Sequence, residues 1–171
     1  MNRSRFALVA GTAVLGLSAL TACGGGDGYG APAADSSSQA APATGALKLA
    51  AAQVGALGTI VTDGSGRTVY IWDNDSTNPS KSSCDGDCAA KWPPVMAGTG
   101  TPQLDGIDAS AVGTVTRADG SKQATLGGMP IYLFAKDAKA GDAKGQGVGG
   151  VWWVVGPDGR KNTAQASGSG Y

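Results

Sequence analysis

Twice in this chain a tyrosine, an apolar residue, an aromatic, two further residues and an aspartate stand in that order. The first hexad is Tyr70-Ile71-Trp72-Asp73-Asn74-Asp75 and the second is Tyr132-Leu133-Phe134-Ala135-Lys136-Asp137. Each is followed by a tryptophan, Trp92 in the first case and Trp152 or Trp153 in the second. Upstream, Gly58-Thr59-Ile60 with Asp63-Gly64-Ser65 matches Gly113-Thr114-Val115 with Asp119-Gly120-Ser121. A few extra residues separate the second Asp-Gly-Ser from its tyrosine. Two copies are fewer than a solenoid needs. The expectation is one domain made of two divergent repeats, at about 57–97 and 112–156.

The pattern around the hexads is that of strands. Short apolar runs are bounded by turn residues, glycine is abundant, and helical periodicity is scarce. Candidate strands are Leu47–Ala52, Thr59–Thr62, Thr68–Trp72, Gly113–Arg117, Lys122–Leu126, Ile131–Phe134 and Val151–Val155. Only Cys84–Trp92 reads as helical. Ser83 or Asp85 would cap it, and Pro93-Pro94 cannot continue it. The fold class expected is mainly β: a single antiparallel domain over residues 46–162 with one short helical segment. Residues 163–171 form a small polar tail.

The N-terminus is a targeting segment. Arg3 and Arg5 precede an apolar stretch, Phe6 to Leu20, too short for a comfortable membrane span. It ends Leu20-Thr21-Ala22-Cys23, small residues before a cysteine, as in the lipobox of bacterial lipoproteins. The bland alternative is a secretory signal with a chance cysteine. The glycine-rich tether that follows directly favours the lipobox. Residues 1–22 are then a lipoprotein signal peptide, and Cys23 is the acylated mature N-terminus. Arg3-Ser4-Arg5 is no twin-arginine pair, which favours the general secretory route. One acyl chain holds marginally, whereas two pass the threshold for stable anchoring. From Cys23 to residue 45 the chain is Gly, Ala, Ser, Pro and Gln with two Asp, a flexible tether. The protein is expected on the outer face of the cell membrane, held by lipid and not spanning it.

Histidine is absent, which removes imidazole catalysis and the commonest metal ligand. Lys+Arg and Asp+Glu are equal at 13 each and interspersed, so neither a nucleic-acid stripe nor a patch for anionic lipid is visible. Gly145-Gln146-Gly147-Val148-Gly149-Gly150 precedes a Trp-rich strand instead of opening a helix, against nucleotide binding. Cys84 and Cys88, an even pair outside the cytoplasm, read as a disulfide. A redox-active pair is the rival, without the Cys-x-x-Cys spacing and beside Asp85 and Asp87, whose charge disfavours thiolate.

Asp73-Asn74-Asp75-Ser76-Thr77-Asn78 has the oxygen density of a calcium loop. It fails the EF-hand pattern at Asn78 and Cys84. The repeated acids, Asp75 and Asp137, are expected to accept backbone N–H bonds from the loops after their strands. The sharper rivals are a cation site or an acid–base pair. Tyr70 with Trp72, and Tyr132 with Phe134, share one strand face and suit core packing. Trp92, Trp152 and Trp153 are the candidates for a binding surface. The last two are adjacent, so one of them would point outward. Met96 and Met129 suit packing better than copper(I).

Together the hexads, the Cys84/Cys88–Trp92-Pro93-Pro94 run, and Gly141-Asp142 with Gly145-Gln146-Gly147 resemble the bacterial lipoproteins with a Yx(FWY)xxD motif, the secreted repeat of unknown function. The resemblance spans roughly Leu57 to Val155 and implies a secreted, lipid-anchored domain. It implies no activity. The leading expectation is a non-enzymatic binding or scaffolding module, without cofactor, with an envelope protein or glycan as partner and no nucleic acid. The alternatives are a redox or metal-handling protein using Cys84/Cys88 or Asp73/Asp75, and more weakly a carboxylate-dependent hydrolase on Asp75 and Asp137.

Overall fold

A computed structural model describes residues 45–165. The signal segment, Cys23, the tether before residue 45 and the tail beyond residue 165 lie outside the described residues. Ten strands follow in order. They are β1 (Lys48–Gln53), β2 (Thr59–Asp63), β3 (Tyr70–Trp72), β4 (Ser76–Thr77), β5 (Ser80–Lys81), β6 (Gln103–Asp105), β7 (Val112–Thr116), β8 (Lys122–Leu126), β9 (Met129–Pro130) and β10 (Trp152–Val154). Among the described residues one α-helix, α1 (Asp87–Lys91), lies between β5 and β6, and three single-turn 3-10 helices, Gly55–Leu57, Ala109–Ala111 and Val148–Gly150, lie in the connections. The fold is mainly β. Its pairs are antiparallel except β1–β6, which is parallel.

Strand alternation divides the interior in two. Successive side chains on a strand leave on opposite faces. Val61, Val69, Ile71, Ile131, Leu133 and Val155 therefore enter an aliphatic core with Leu49, Ala124 and Leu126. Their chain neighbours Ile60, Tyr70, Tyr132 and Val154 enter an aromatic core with Trp92, Trp152 and Cys84. A clean period of two in the sequence thus builds both cores from the same strands.

The repeats are related through their hexads. Tyr70 and Tyr132 exchange both backbone hydrogen bonds, at 2.8 and 2.9 Å, as an antiparallel pair. On the far side of β3 lies β10, with Trp72 opposite Trp152 and Tyr70 opposite Val154. On the far side of the second hexad, Leu133 N–H donates to the Pro93 carbonyl and Val95 N–H to the Ile131 carbonyl. Residues 92–95 and β10 are therefore counterparts, and Trp152, not Trp153, is the counterpart of Trp92.

The same ladders correct the upstream alignment. Val61 N–H donates to Val155 O and Val69 N–H to Val61 O, whereas Ala124 N–H donates to Val95 O and Ile131 N–H to Ala124 O. Val61 thus corresponds to Ala124, β2 to β8, and β1 to β7. Gly58-Thr59-Ile60 and Gly113-Thr114-Val115 are not equivalent. Asp63-Gly64-Ser65 turns from β2 toward β3, while Asp119-Gly120-Ser121 joins β7 to β8. Both aspartates accept from the serine two residues on, at 2.8 and 2.9 Å, so one local turn chemistry serves two different places.

Other boundaries differ from expectation. The second hexad contributes Tyr132 as isolated bridges to Tyr70 and Pro94 and no continuous strand over Ile131–Phe134. The helix is capped by Gly86 at φ 54°, with no side-chain cap. Ser83 and Asp85 are otherwise engaged: Ser83 N–H donates to Asp75 and the Asp85 carboxylate pairs with Arg117. Among the described residues no helix is long and apolar enough to cross a membrane.

Candidate functional site

The two tyrosines cross. Tyr70 donates its hydroxyl to Asp137 Oδ2 at 2.6 Å, and Tyr132 donates to Asp75 Oδ2 at 2.5 Å. Each bond joins the tyrosine of one repeat to the aspartate of the other. The remaining oxygen of each carboxylate holds its own loop, Asp75 Oδ1 accepting from Ser83 N at 2.8 Å and Asp137 Oδ1 from Lys144 N at 3.0 Å. Each hexad is also closed by the same turn, Asp75 N–H to Trp72 O and Asp137 N–H to Phe134 O. Both tyrosines and both aspartates are buried. Each of the four carboxylate oxygens therefore accepts a hydrogen bond inside the fold.

Burial pushes both aspartates above the usual carboxylate range, while the tyrosine hydroxyl and the loop amide on each pull in the opposite direction. Burial, with the neighbouring carboxylate, also pushes both phenols well up, so they stay protonated and donate. The sign of the pH effect follows. A carboxyl raised on folding favours the folded state below its unfolded value, and this contribution is lost as pH rises through the folded value. Asp108, Asp119 and Asp142 are lowered and act in the opposite sense. Comparison with an Asp75→Asn/Asp137→Asn variant cancels those three. The stability advantage of the parent over this variant should be larger near pH 4, about the unfolded aspartate value, than at neutral pH. Denaturant titrations at both pH values check it.

Around the clasp the aromatic rings form a column. Trp72 stacks on Trp152 at 5.1 Å between centroids, Trp152 on Trp92 at 3.8 Å, and Trp92 on Phe134 at 4.2 Å. The hexad aromatics are the outer rings and the following tryptophans the inner ones. Tyr70 meets Trp92 edge-on, as Tyr132 meets Trp152. Gly145 closes the space beneath: a Cβ there would lie 2.7 Å from the Tyr70 ring and 2.8 Å from Trp92.

The repeats differ at one polar pocket. Where the first copy has Ile60, the second has Gln123, fully buried. Gln123 accepts from Arg117 at 2.7 Å and donates to the Ile131 carbonyl. The Arg117 side chain is 4 % exposed. It also donates to Ser82 Oγ at 2.8 Å, the Cys84 carbonyl at 2.6 Å and the Asp85 carboxylate at 2.7 Å. Ser82 in turn bonds the Tyr132 hydroxyl. The second repeat thereby grips the cysteine loop of the first. Neither Arg117 nor Gln123 stood out in the sequence. The available signal was a glutamine inside an otherwise buried strand, Lys122–Leu126.

The other candidates fall as follows. Cys84 and Cys88 form a disulfide with Cα atoms 5.2 Å apart. Trp92 and Trp152, proposed as surface, are 4 % and 5 % exposed and are the inner rings of the column, so they present no face. Trp153 is partly exposed; its indole donates to Asp73 at 2.8 Å, and Lys161 lies over its ring and binds the same carboxylate. Asp73 and Asp75 do not converge, because one faces Trp153 and Lys161 and the other faces Tyr132. Among the described residues no group of three His, Cys, Asp or Glu is placed to hold a metal. Met129 packs on the aliphatic core, and Met96 pairs with Gln123. Cys23 lies outside the described residues.

A family model described as a secreted repeat of unknown function matches residues 52–96 and 113–156, more than half of the chain. The matched starts agree with the pairing of β1 with β7. No curated protein and no solved structure matches the chain.

Proposed function

Because the chain belongs to the family of secreted repeats of unknown function, we propose that it is a lipid-anchored, non-enzymatic module that binds or scaffolds a protein or glycan at the cell envelope. An extracytoplasmic place follows from the family; the anchor and the binding role are the proposal. The observation that carries the non-enzymatic part is the crossed clasp. The acids and phenols common to both repeats are buried and bound to one another, so the shared motif is consumed in joining the halves. The partly exposed Trp153 and the loops outside the shared motif are left to make contact with a partner.

Anchoring is tested at Cys23. The Cys23→Ala chain should take up no labelled palmitate and should leave the membrane fraction or persist as unprocessed precursor. Normal palmitate labelling in that variant would end the lipobox reading.

A further inference from the structure

Charges that alternate in the sequence are gathered by the fold. Ala135 N–H donates to the Lys91 carbonyl at 2.9 Å, which sets the end of α1 beside the loop after the second hexad. In that loop Lys144 Nζ reaches the Lys136 carbonyl at 3.4 Å and Asp142 at 3.2 Å, and Asp142 also accepts from Lys139 N. Lys91, Lys136, Lys139 and Lys144 are all exposed, and these bonds bring the backbone that carries them to one part of the surface. The loop's own acids are turned inward. Asp137 serves Tyr70 and the Lys144 amide, and Asp142 serves two backbone amides and Lys144. Asp87, one turn before Lys91, makes no ion pair with it, and Lys91, Lys136 and Lys139 have no carboxylate partner among the described residues.

We propose that Lys91, Lys136, Lys139 and Lys144 form a docking surface for the anionic phospholipid headgroups of the membrane, an inference that rests on the anchored placement above. The chain outside the structure supports the membrane as occupant. Only residues 24–44 separate Cys23 from the described domain, so an anchor at Cys23 would keep the domain close to the surface that holds it. A tethered contact needs little affinity of its own. Each lysine at an anionic surface contributes about a fivefold gain in binding constant at physiological ionic strength. Lys91, Lys136 and Lys139, which have no carboxylate partner, would carry most of this gain, because Lys144 is already paired with Asp142.

The test uses the acylated protein on phosphatidylcholine vesicles and on vesicles containing phosphatidylglycerol, with lysine acetylation read by mass spectrometry. On the anionic vesicles the four lysines should be labelled severalfold more slowly, while Lys122 and Lys161 are unchanged. The protection should vanish in 1 M salt, where the Debye length is about 3 Å. A Lys136→Gln/Lys139→Gln variant with unchanged melting should lose the protection of Lys91 and Lys144. Flotation with both vesicle types and equal labelling on each overturns the proposal alone. Failure to float with either overturns the anchored placement and the proposal with it. Protection by soluble polyphosphate without protection by anionic vesicles also overturns it, in favour of an anionic polymer.

Discussion

Trp152→Ala should destabilise the domain by about 3–5 kcal/mol, the usual cost of deleting a large buried aromatic. Trp152 touches more of the aromatic core than any single hexad ring does. It stacks on Trp72 and on Trp92 and receives the edge of Tyr132, so its loss opens a gap in the middle of a column. Stacked and edge-on pairs add about 0.5–1.5 kcal/mol each beyond buried area. Against a domain stability of about 5–15 kcal/mol this is a large share. Trp153→Ala is the control. That ring is only partly buried and faces the other way, so its removal should cost far less. Urea unfolding of both variants decides the matter, and equal losses would show that the column is not the centre of the aromatic core.

Tyr132→Phe should be the next largest effect, about 1.5–3 kcal/mol. The ring stays and the packing is kept. Asp75 Oδ2, however, loses its donor in a buried setting, and the Ser82 hydroxyl that connects to Arg117 loses its acceptor. A buried charged acceptor left without a partner costs more than the net value of the bond it made. Tyr70→Phe should act in the same way through Asp137, where the Gly145 amide also loses its acceptor. Chemical denaturation with unchanged slope would confirm that the effect lies on the folded state.

Much of this architecture could be read from the residues, and the reasons for the rest are physical. Period-two alternation carries the strands, because one backbone geometry forces successive side chains apart. It therefore located Thr59–Thr62 and Lys122–Leu126 well. It could not separate the two interiors, since Val61 and Ile60 are equally apolar and only the folded sheet decides which core each enters. The paired Asp-Gly-Ser turns misled the alignment for a related reason. An aspartate that binds the amide two residues on makes the same turn wherever it stands, so a shared turn does not mark a shared position. β6 was not anticipated because Gln103-Leu104-Asp105 has no apolar run. Its strand character comes from Lys48–Ala50, against which it lies in parallel.

The site follows the same division. The tyrosines and aspartates were visible as a repeated set, and the loop amides on Asp75 and Asp137 followed from their place after a strand. The exchange of partners between copies was not visible. Tyr70 and Asp75 are neighbours in sequence, and nothing local says that the hydroxyl prefers an acid 67 residues away. Arg117 was hidden because a single arginine at a strand end looks like a solvated charge until Ser82, Cys84 and Asp85 are brought around it.

The central claim is that the motif fastens one repeat to the other, and a double-mutant cycle tests it most directly. Tyr70→Phe, Asp137→Ala and the pair should show a coupling of about 1.5–3 kcal/mol, the worth of a hydrogen bond to a charged group. The same cycle on Tyr70 and Asp75, which share a hexad and no hydrogen bond, should give a coupling near zero. Strong coupling within a hexad and none across the repeats would contradict the account.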